Sequence, residues 1–176
     1  MCGIAGIYSH KPVATELYDS IIHLQHRGQD AAGIMTYDKR MHKEKGMGLA
    51  REIFTPENMK LLTGNIGISH NRYPTHGGFS HGEIQPFWTS VPYGIAMAHN
   101  GNLTNYKELA QQITQKETRY LNTTSDTEVL LHFFADRLHR DITPDKSQEF
   151  FNLLCEAVQS ILLNVKGAYS VTAIII

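Results

Sequence analysis

A cysteine stands at position 2, directly behind the initiator methionine. Removal of Met1, which the small cysteine side chain permits, leaves one residue carrying both a thiol and a free α-amino group. An α-amino group titrates at about 7.7–8.0 and accepts a proton near neutrality. A thiol at about 8.5 needs only modest help to become a thiolate. Nucleophile and base on one residue is the arrangement of an N-terminal nucleophile. Gly3 and Gly6 permit close backbone approach beside it. A second-position cysteine alone is more often incidental, so other groups must decide.

His99-Asn100-Gly101-Asn102 follows an expected strand. Its ordinary reading is a turn. Its chemical reading is an oxyanion hole, in which the Asn100 amide and the Gly101 N–H converge on one point, each donor contributing on the order of 3 kcal/mol. Arg72 closes another expected strand, and its planar fork suits a carboxylate. Asp126, in the first turn of an expected helix, can take an ammonium group, although the helix dipole already accounts for an acid there. Together Arg72 and Asp126 could read an α-amino acid; singly, each is explained by surface pairing. Ser125 to Glu128 reads as a capping box, which accounts for Glu128.

The ten histidines are many for this length, and His70, His76, His81 and His99 fall around one glycine-rich stretch. They form no H-E-x-x-H motif and no cysteine accompanies them, so a metal is not expected. Cys155 lies in an apolar helical run and reads as a small core residue. Gly46 to Gly48 and Gly77-Gly78 match neither a Walker loop nor a dinucleotide fingerprint.

These groups need elements to place them. Ile4 to Tyr8 reads as a buried strand. Val13, Leu17, Ile21 and Leu24 recur at helical spacing between Pro12 and Gly28, giving a helix of about three turns. Ala31 to Tyr37 is a strand, turning at Asp38-Lys39-Arg40 into another. Thr55-Pro56 opens a short helix that Gly64 ends. Ile66 to Arg72 is a strand, and Tyr73 to Pro86 a long loop of the kind that carries function. A strand over Tyr93 to His99 is followed by helices at about 103–114, 126–140 and 144–165. The last has an expected core face of Phe150, Phe151, Leu154, Val158, Ile161 and Leu162. After Gly167 the chain returns to strand. Short connections favour antiparallel pairing, and one-faced helices must cover a sheet. The expected fold is α+β, two sheets between helix layers; a doubly wound parallel fold is the weaker alternative.

The chain has 176 residues with 41% hydrophobic and 19% charged residues, enough for one domain with its own core. Sixteen basic against seventeen acidic residues give a net charge of −1, which argues against a nucleic-acid or anionic-membrane binder. Two cysteines build no disulfide framework, and neither a signal peptide nor a membrane-spanning run is visible, so a cytoplasmic setting is expected. The sequons at Asn102 and Asn122 then read as chance matches. The chain finishes on an uncharged β-branched run at Thr172 to Ile176, which suggests that partner strands follow in a longer parent.

The segments MCGIAGI (1–7), LQHRGQDAAGI (24–34), HNRYPT (70–75), HNGNLTN (99–105) and NTTSDTE (122–128) occur in one order. Together they resemble the class II glutamine amidotransferase domain, over the whole chain. The LQHRGQD form and the NTTSD segment are most similar to amidophosphoribosyltransferases, which commit phosphoribosyl pyrophosphate to purine synthesis. Thr75 to Gly77 is similar to the loop of glucosamine-6-phosphate synthases.

The resemblance implies an N-terminal-nucleophile αββα four-layer sandwich. It implies hydrolysis of glutamine to glutamate and ammonia through a thioester on Cys2, for phosphoribosylamine formation in the first step of de novo purine (IMP) biosynthesis. Asn100 and Gly101 would form the oxyanion hole, Arg72 would hold the substrate carboxylate and Asp126 its ammonium. Arg27 and Gly28 would shape the pocket beside Cys2. Tyr73 to about His81, with Thr75 and His76, would form a mobile loop that closes over glutamine.

Full-length relatives are homo-oligomers, add a phosphoribosyltransferase domain that uses Mg2+, and in some cases carry a propeptide and an iron–sulfur cluster. The signature of that added domain is missing here, and two cysteines cannot supply the four thiolates of such a cluster. Residues 1–176 are therefore expected to be a C-terminally incomplete glutaminase domain, without the phosphoribosyltransferase domain. It would have glutamine as substrate and no cofactor, metal, nucleic-acid or membrane partner of its own. Two further readings stay open: a stand-alone class II amidohydrolase acting on a γ-glutamyl compound, which the 24–34 segment argues against, and a non-catalytic remnant that keeps the pocket.

Overall fold

A computed structural model of the chain describes residues 1–73, 81–116, 119–138 and 146–176. The strands β1 (Gly3–Tyr8), β2 (Ala31–Tyr37), β3 (Met41–Met47) and β4 (Ile66–Arg72) form one sheet in the order β1-β4-β2-β3. β5 (Phe87–Thr89), β6 (Ile95–Leu103) and β7 (Gly167–Ile175) form a second sheet in the order β5-β6-β7. Every pairing among the described residues is antiparallel, which removes the doubly wound alternative.

Period-two alternation along the strands builds the layers. Ala32 and Ile34 of β2 pack against Val13, Leu17 and Ile21 at helix α1 (Ala14–Leu24). Met35 of β2 and Ile68 of β4 face the other way, onto Ala96 and Ala98 of β6 and Ile174 of β7. On the far face of β6, Ile95, Met97 and Leu103 meet the helices α4 (Tyr106–Lys116), α5 (Asp126–Ala135) and α6 (Ser147–Asn164). The result is helix, sheet, sheet, helices, the expected α+β sandwich. Small side chains let the sheets close: a Cβ on Gly6 would come within 2.5 Å of the Thr172 hydroxyl.

Thr55 caps the short helix α3 (Pro56–Met59), its hydroxyl accepting from Asn58 N–H at 3.4 Å. The one-turn helix α2 (Ala50–Ile53) and the three-residue β5 were not expected; both are too short for periodicity to register.

Four expectations are corrected. First, β6 does not stop at His99 but runs on to Leu103, so His99 to Asn102 are paired strand and not a turn. Second, Glu128 closes no capping box. Ser125 accepts from Thr127 N–H, while both Glu128 oxygens turn back to the N–H groups and side chains of Asn122 and Thr123. Third, the core face of α6 is rotated from the expected one: Leu153, Ala157 and the expected Ile161 are buried, with the expected Phe150 and Leu154 packed against that core, whereas Phe151, Val158 and Leu162 are exposed. The apolar residues cover about half of the helix's girth, wider than the buried stripe, so the pattern does not say which edge of that half is buried. Fourth, Cys155 is exposed and not a core residue. α5 ends at Ala135, and the expected Thr143-Pro144 start of the last helix lies outside the described residues.

Among the described residues no helix is long and apolar enough to cross a membrane.

Candidate functional site

The pairing Gly3↔Asn71 sets Cys2 level with Arg72, where β1 begins and β4 ends. The turn after α1 closes around that point. Arg27 Nε donates to the Cys2 carbonyl oxygen at 3.0 Å. Gln25 staples the turn, its amide donating to Gly28 O at 2.9 Å and its oxygen accepting from Ala50 N–H at 3.0 Å. Gly28 lies flat on the end of β4: a Cβ there would meet the Arg72 carbonyl carbon at 2.4 Å. Backbone contact of that closeness requires glycine. Cys2, Arg27, Gly28 and Arg72 are thus brought together.

β6 arrives at the same end of the sandwich, because His70, two residues before Arg72, neighbours His99, one before Asn100. His99 is anchored at its backbone N–H and at Nδ1. Its N–H donates to Gln85 Oε1 at 2.7 Å, and its Nδ1 lies 3.1 Å from Thr127 Oγ1 and 3.6 Å from Asp126 Oδ1. Gly101 has φ of +154°, and a Cβ there would strike Ala168 O at 2.2 Å. Glycine lets the strand pass this position with β7 closely alongside.

Asp126 Oδ2 accepts from Leu103 N–H at 3.1 Å, so α5 is tied to the end of β6 just beyond Asn100-Gly101-Asn102. The Asp126 side chain remains 24% exposed and can meet a ligand.

Arg72 is paired with Glu83, Nη1 to Oε2 at 3.6 Å. Glu83 ends the turn His81–Glu83. Tyr73 is half-exposed, and Thr75 and His76, with the rest of 74–80, lie outside the described residues.

Burial, with His99 and Arg72 nearby, pushes the His70 imidazole down to about 3. Burial also lowers that of His99, against the opposing pull of Asp126. Both rings are neutral at pH 7, so the charged side chains near this end include Arg27, Arg72, Glu83 and Asp126, but neither histidine. Among the described residues no three His, Cys, Asp or Glu side chains converge as a metal site would require.

The sequence profile of the glutamine amidotransferase domain matches residues 70–171. The chain belongs to that family. It is 46% identical over 176 residues to the amidophosphoribosyltransferase of Pseudomonas aeruginosa, covering 99% of this chain and 34% of that protein. It is 43% identical to that of Escherichia coli, covering 100% and 35%, and 40% identical to that of Schizosaccharomyces pombe, covering 99% and 33%. Among solved structures, the allosteric regulatory enzyme of purine biosynthesis superposes with a TM-score of 0.82 at 32% identity, covering 99% of this chain and 35% of that one. The glutamine phosphoribosylpyrophosphate amidotransferase of Bacillus subtilis, complexed with ADP and GMP, gives 0.79 at 32% identity and the same coverage. The amidotransferase chain spans about a third of the length of these relatives.

Sequence reasoning missed several groups that order the amidotransferase site. Gln85 and Glu83 carry no motif signal, since each is defined by a partner distant in sequence, and Thr127 lies inside the 122–128 segment but its contact with His99 is equally long-range. His70 and His99 open two of the recognisable segments without a role of their own, and the fold makes them buried neutral neighbours. A cavity of about 450 Å³ lies between Lys45, Phe87, Trp88, Asn122, Glu128 and His132. Its charged groups already serve the fold: Lys45 donates to Ile84 O at 2.6 Å, and Glu128 holds Asn122 and Thr123.

Proposed function

We propose that this domain hydrolyses glutamine to glutamate and ammonia, with Cys2 as nucleophile once Met1 is removed. The observation that carries the reading is the register placing Cys2 beside Arg72, with Arg27 bound to the Cys2 carbonyl. That bond holds the residue by its carbonyl and leaves thiol and α-amino group to the chemistry.

The α-amino group takes the thiol proton, and sulfur attacks the γ-amide carbon. The oxyanion that forms is met by the Asn100 amide and Gly101 N–H. Collapse breaks the C–N bond, ammonia leaves with the transferred proton, and a γ-glutamyl thioester remains on Cys2. Water then attacks the thioester, assisted by the same amine, and releases glutamate. Arg72 holds the α-carboxylate and Asp126 the α-ammonium, so the head group is fixed by two charges while only the side-chain amide reaches sulfur. Thr75 and His76 belong to the segment that would close over the bound substrate.

The likeness to amidophosphoribosyltransferases supports a further step of the proposal. The ammonia serves phosphoribosylamine formation, opening de novo purine synthesis, in partnership with a phosphoribosyltransferase domain outside these 176 residues. The domain's own substrate is glutamine.

Intact mass and peptide mapping after incubation with 6-diazo-5-oxo-norleucine test the reading. One adduct on an N-terminal Cys2, blocked by excess glutamine, is expected. No adduct, or equal labelling of Cys155, overturns it.

A further inference from the structure

We propose that Glu83 is a positioning residue for Arg72, fixing the distance between the two charged groups that read the amino-acid head group; the proposal rests on the glutaminase reading above. Glu83 stands between the elements that bear those groups. Oε2 lies 3.6 Å from Nη1 of Arg72, at the end of β4, with both side chains only 13–15% exposed. Oε1 accepts from the Thr124 hydroxyl at 2.8 Å, and Thr124 is two residues ahead of Asp126. One carboxylate thus spans from the carboxylate-reading arginine to the segment that carries the ammonium-reading aspartate. It also ties the far root of the Tyr73 to Pro86 connection to Arg72 at its near root.

Glu83 does not merely occupy the place of a substrate carboxylate. The bond to Thr124 holds it independently of Arg72, so it is a fixed post and not a mobile competitor. At 3.6 Å the contact with Arg72 is an ion pair and not a hydrogen bond. A guanidinium is a rigid planar fork, so a carboxylate fixed at one edge sets the plane in which another edge meets a second carboxylate. Because the Arg72 and Glu83 side chains are mostly buried, although Thr124 is exposed, the field between the two charges is weakly screened.

The test compares the rate of Cys2 modification by 6-diazo-5-oxo-norleucine, which carries the head group, with that by iodoacetamide, which lacks it. Glu83→Ala should slow the first reagent about tenfold and leave the second within about twofold. Glu83→Gln, which keeps the shape and an acceptor for Thr124 but not the charge, should fall between. Thr124→Val should slow the first reagent about threefold. A Glu83 variant that reacts with the norleucine reagent as fast as the parent, or faster, overturns the proposal. If Glu83→Ala does not fold, Glu83→Gln decides by the same ratio, with helix content checked by circular dichroism. A parent protein showing no preference for the head-group reagent refutes the glutaminase reading itself, an outcome seen before any variant is made.

Discussion

Arg27 Nε donates to the carbonyl oxygen of Cys2 across 25 positions of sequence, at 3.0 Å. Cys2 precedes β1 and has no strand of its own to hold it, so this charge-assisted bond fixes where the thiol stands. Such bonds contribute about 1.5–3 kcal/mol. If most of that positions the nucleophile, Arg27→Ala should lower kcat for glutamine hydrolysis by about 10–100-fold with little change in melting temperature. Arg27→Lys, a point charge without the fork, should recover part of it. Steady-state kinetics beside a thermal melt decide this; an equal loss of stability would make the bond a fold element only.

Gly101 is constrained from both sides. Its φ of +154° disfavours other residues, and a Cβ would lie 2.2 Å from Ala168 O and 2.6 Å from Tyr169 Cα. Gly101→Ala should therefore push β7 off β6 and destabilise the domain by about 2–4 kcal/mol, whatever happens at the thiol. Urea unfolding reads this directly. A loss under about 1 kcal/mol would mean that the β6–β7 pair yields easily.

Most of the frame was legible because its signals are local. β2 and β4 match the expected bounds at both ends, and Thr55 caps α3 as its neighbour Pro56 foretold. The site was half legible. Cys2, Arg27, Gly28 and Arg72 lie in recognisable segments and come together, and Asn100 and Gly101 reach the same end of the sandwich. What the sequence hid is long-range pairing. Ser125 and Glu128 have the spacing of a capping box, yet the Glu128 side chain finds more donors at Asn122 and Thr123 than at Ser125. Four bonds outcompete one, and no spacing rule weighs them. The Glu83 pairing is hidden in the same way, because its partners Arg72 and Thr124 stand 11 and 41 positions away, on different elements.

The rotation of α6 gives a prediction that its hydrophobic pattern alone does not. Leu153 is 4% exposed and Phe151 58%. Leu153→Ala should cost about 2–4 kcal/mol, while Phe151→Ser, though the larger chemical change, should stay within about 1 kcal/mol. Chemical denaturation of both variants makes the comparison. The exposed Cys155 should also react with a small alkylating reagent in the native protein without loss of helix signal. The reverse order of the two costs would turn the helix over.

The buried histidine behind the site sets an acid limit on stability. His70 is 1% exposed, and burial, His99 and Arg72 together hold its imidazole at about 3, well below the ordinary value near 6.5. A depressed histidine means that the unfolded chain takes the proton first. Below about pH 6.5 the unfolded state binds more protons than the folded one, so stability falls as pH falls, and continues to fall until the folded ring titrates. Each pH unit in that window removes up to about 1.4 kcal/mol, or about 2 kcal/mol between pH 6.5 and 5. His99, also lowered by burial, adds a loss of the same sign. The two are separated by a variant: His70→Gln keeps a neutral polar group and should flatten the dependence between pH 6.5 and 5, leaving the His99 share. Urea unfolding of both proteins at pH 7, 6 and 5 measures the difference of slopes. Identical slopes would mean that His70 gains solvent or a partner in the folded protein and that the ring is protonated without cost.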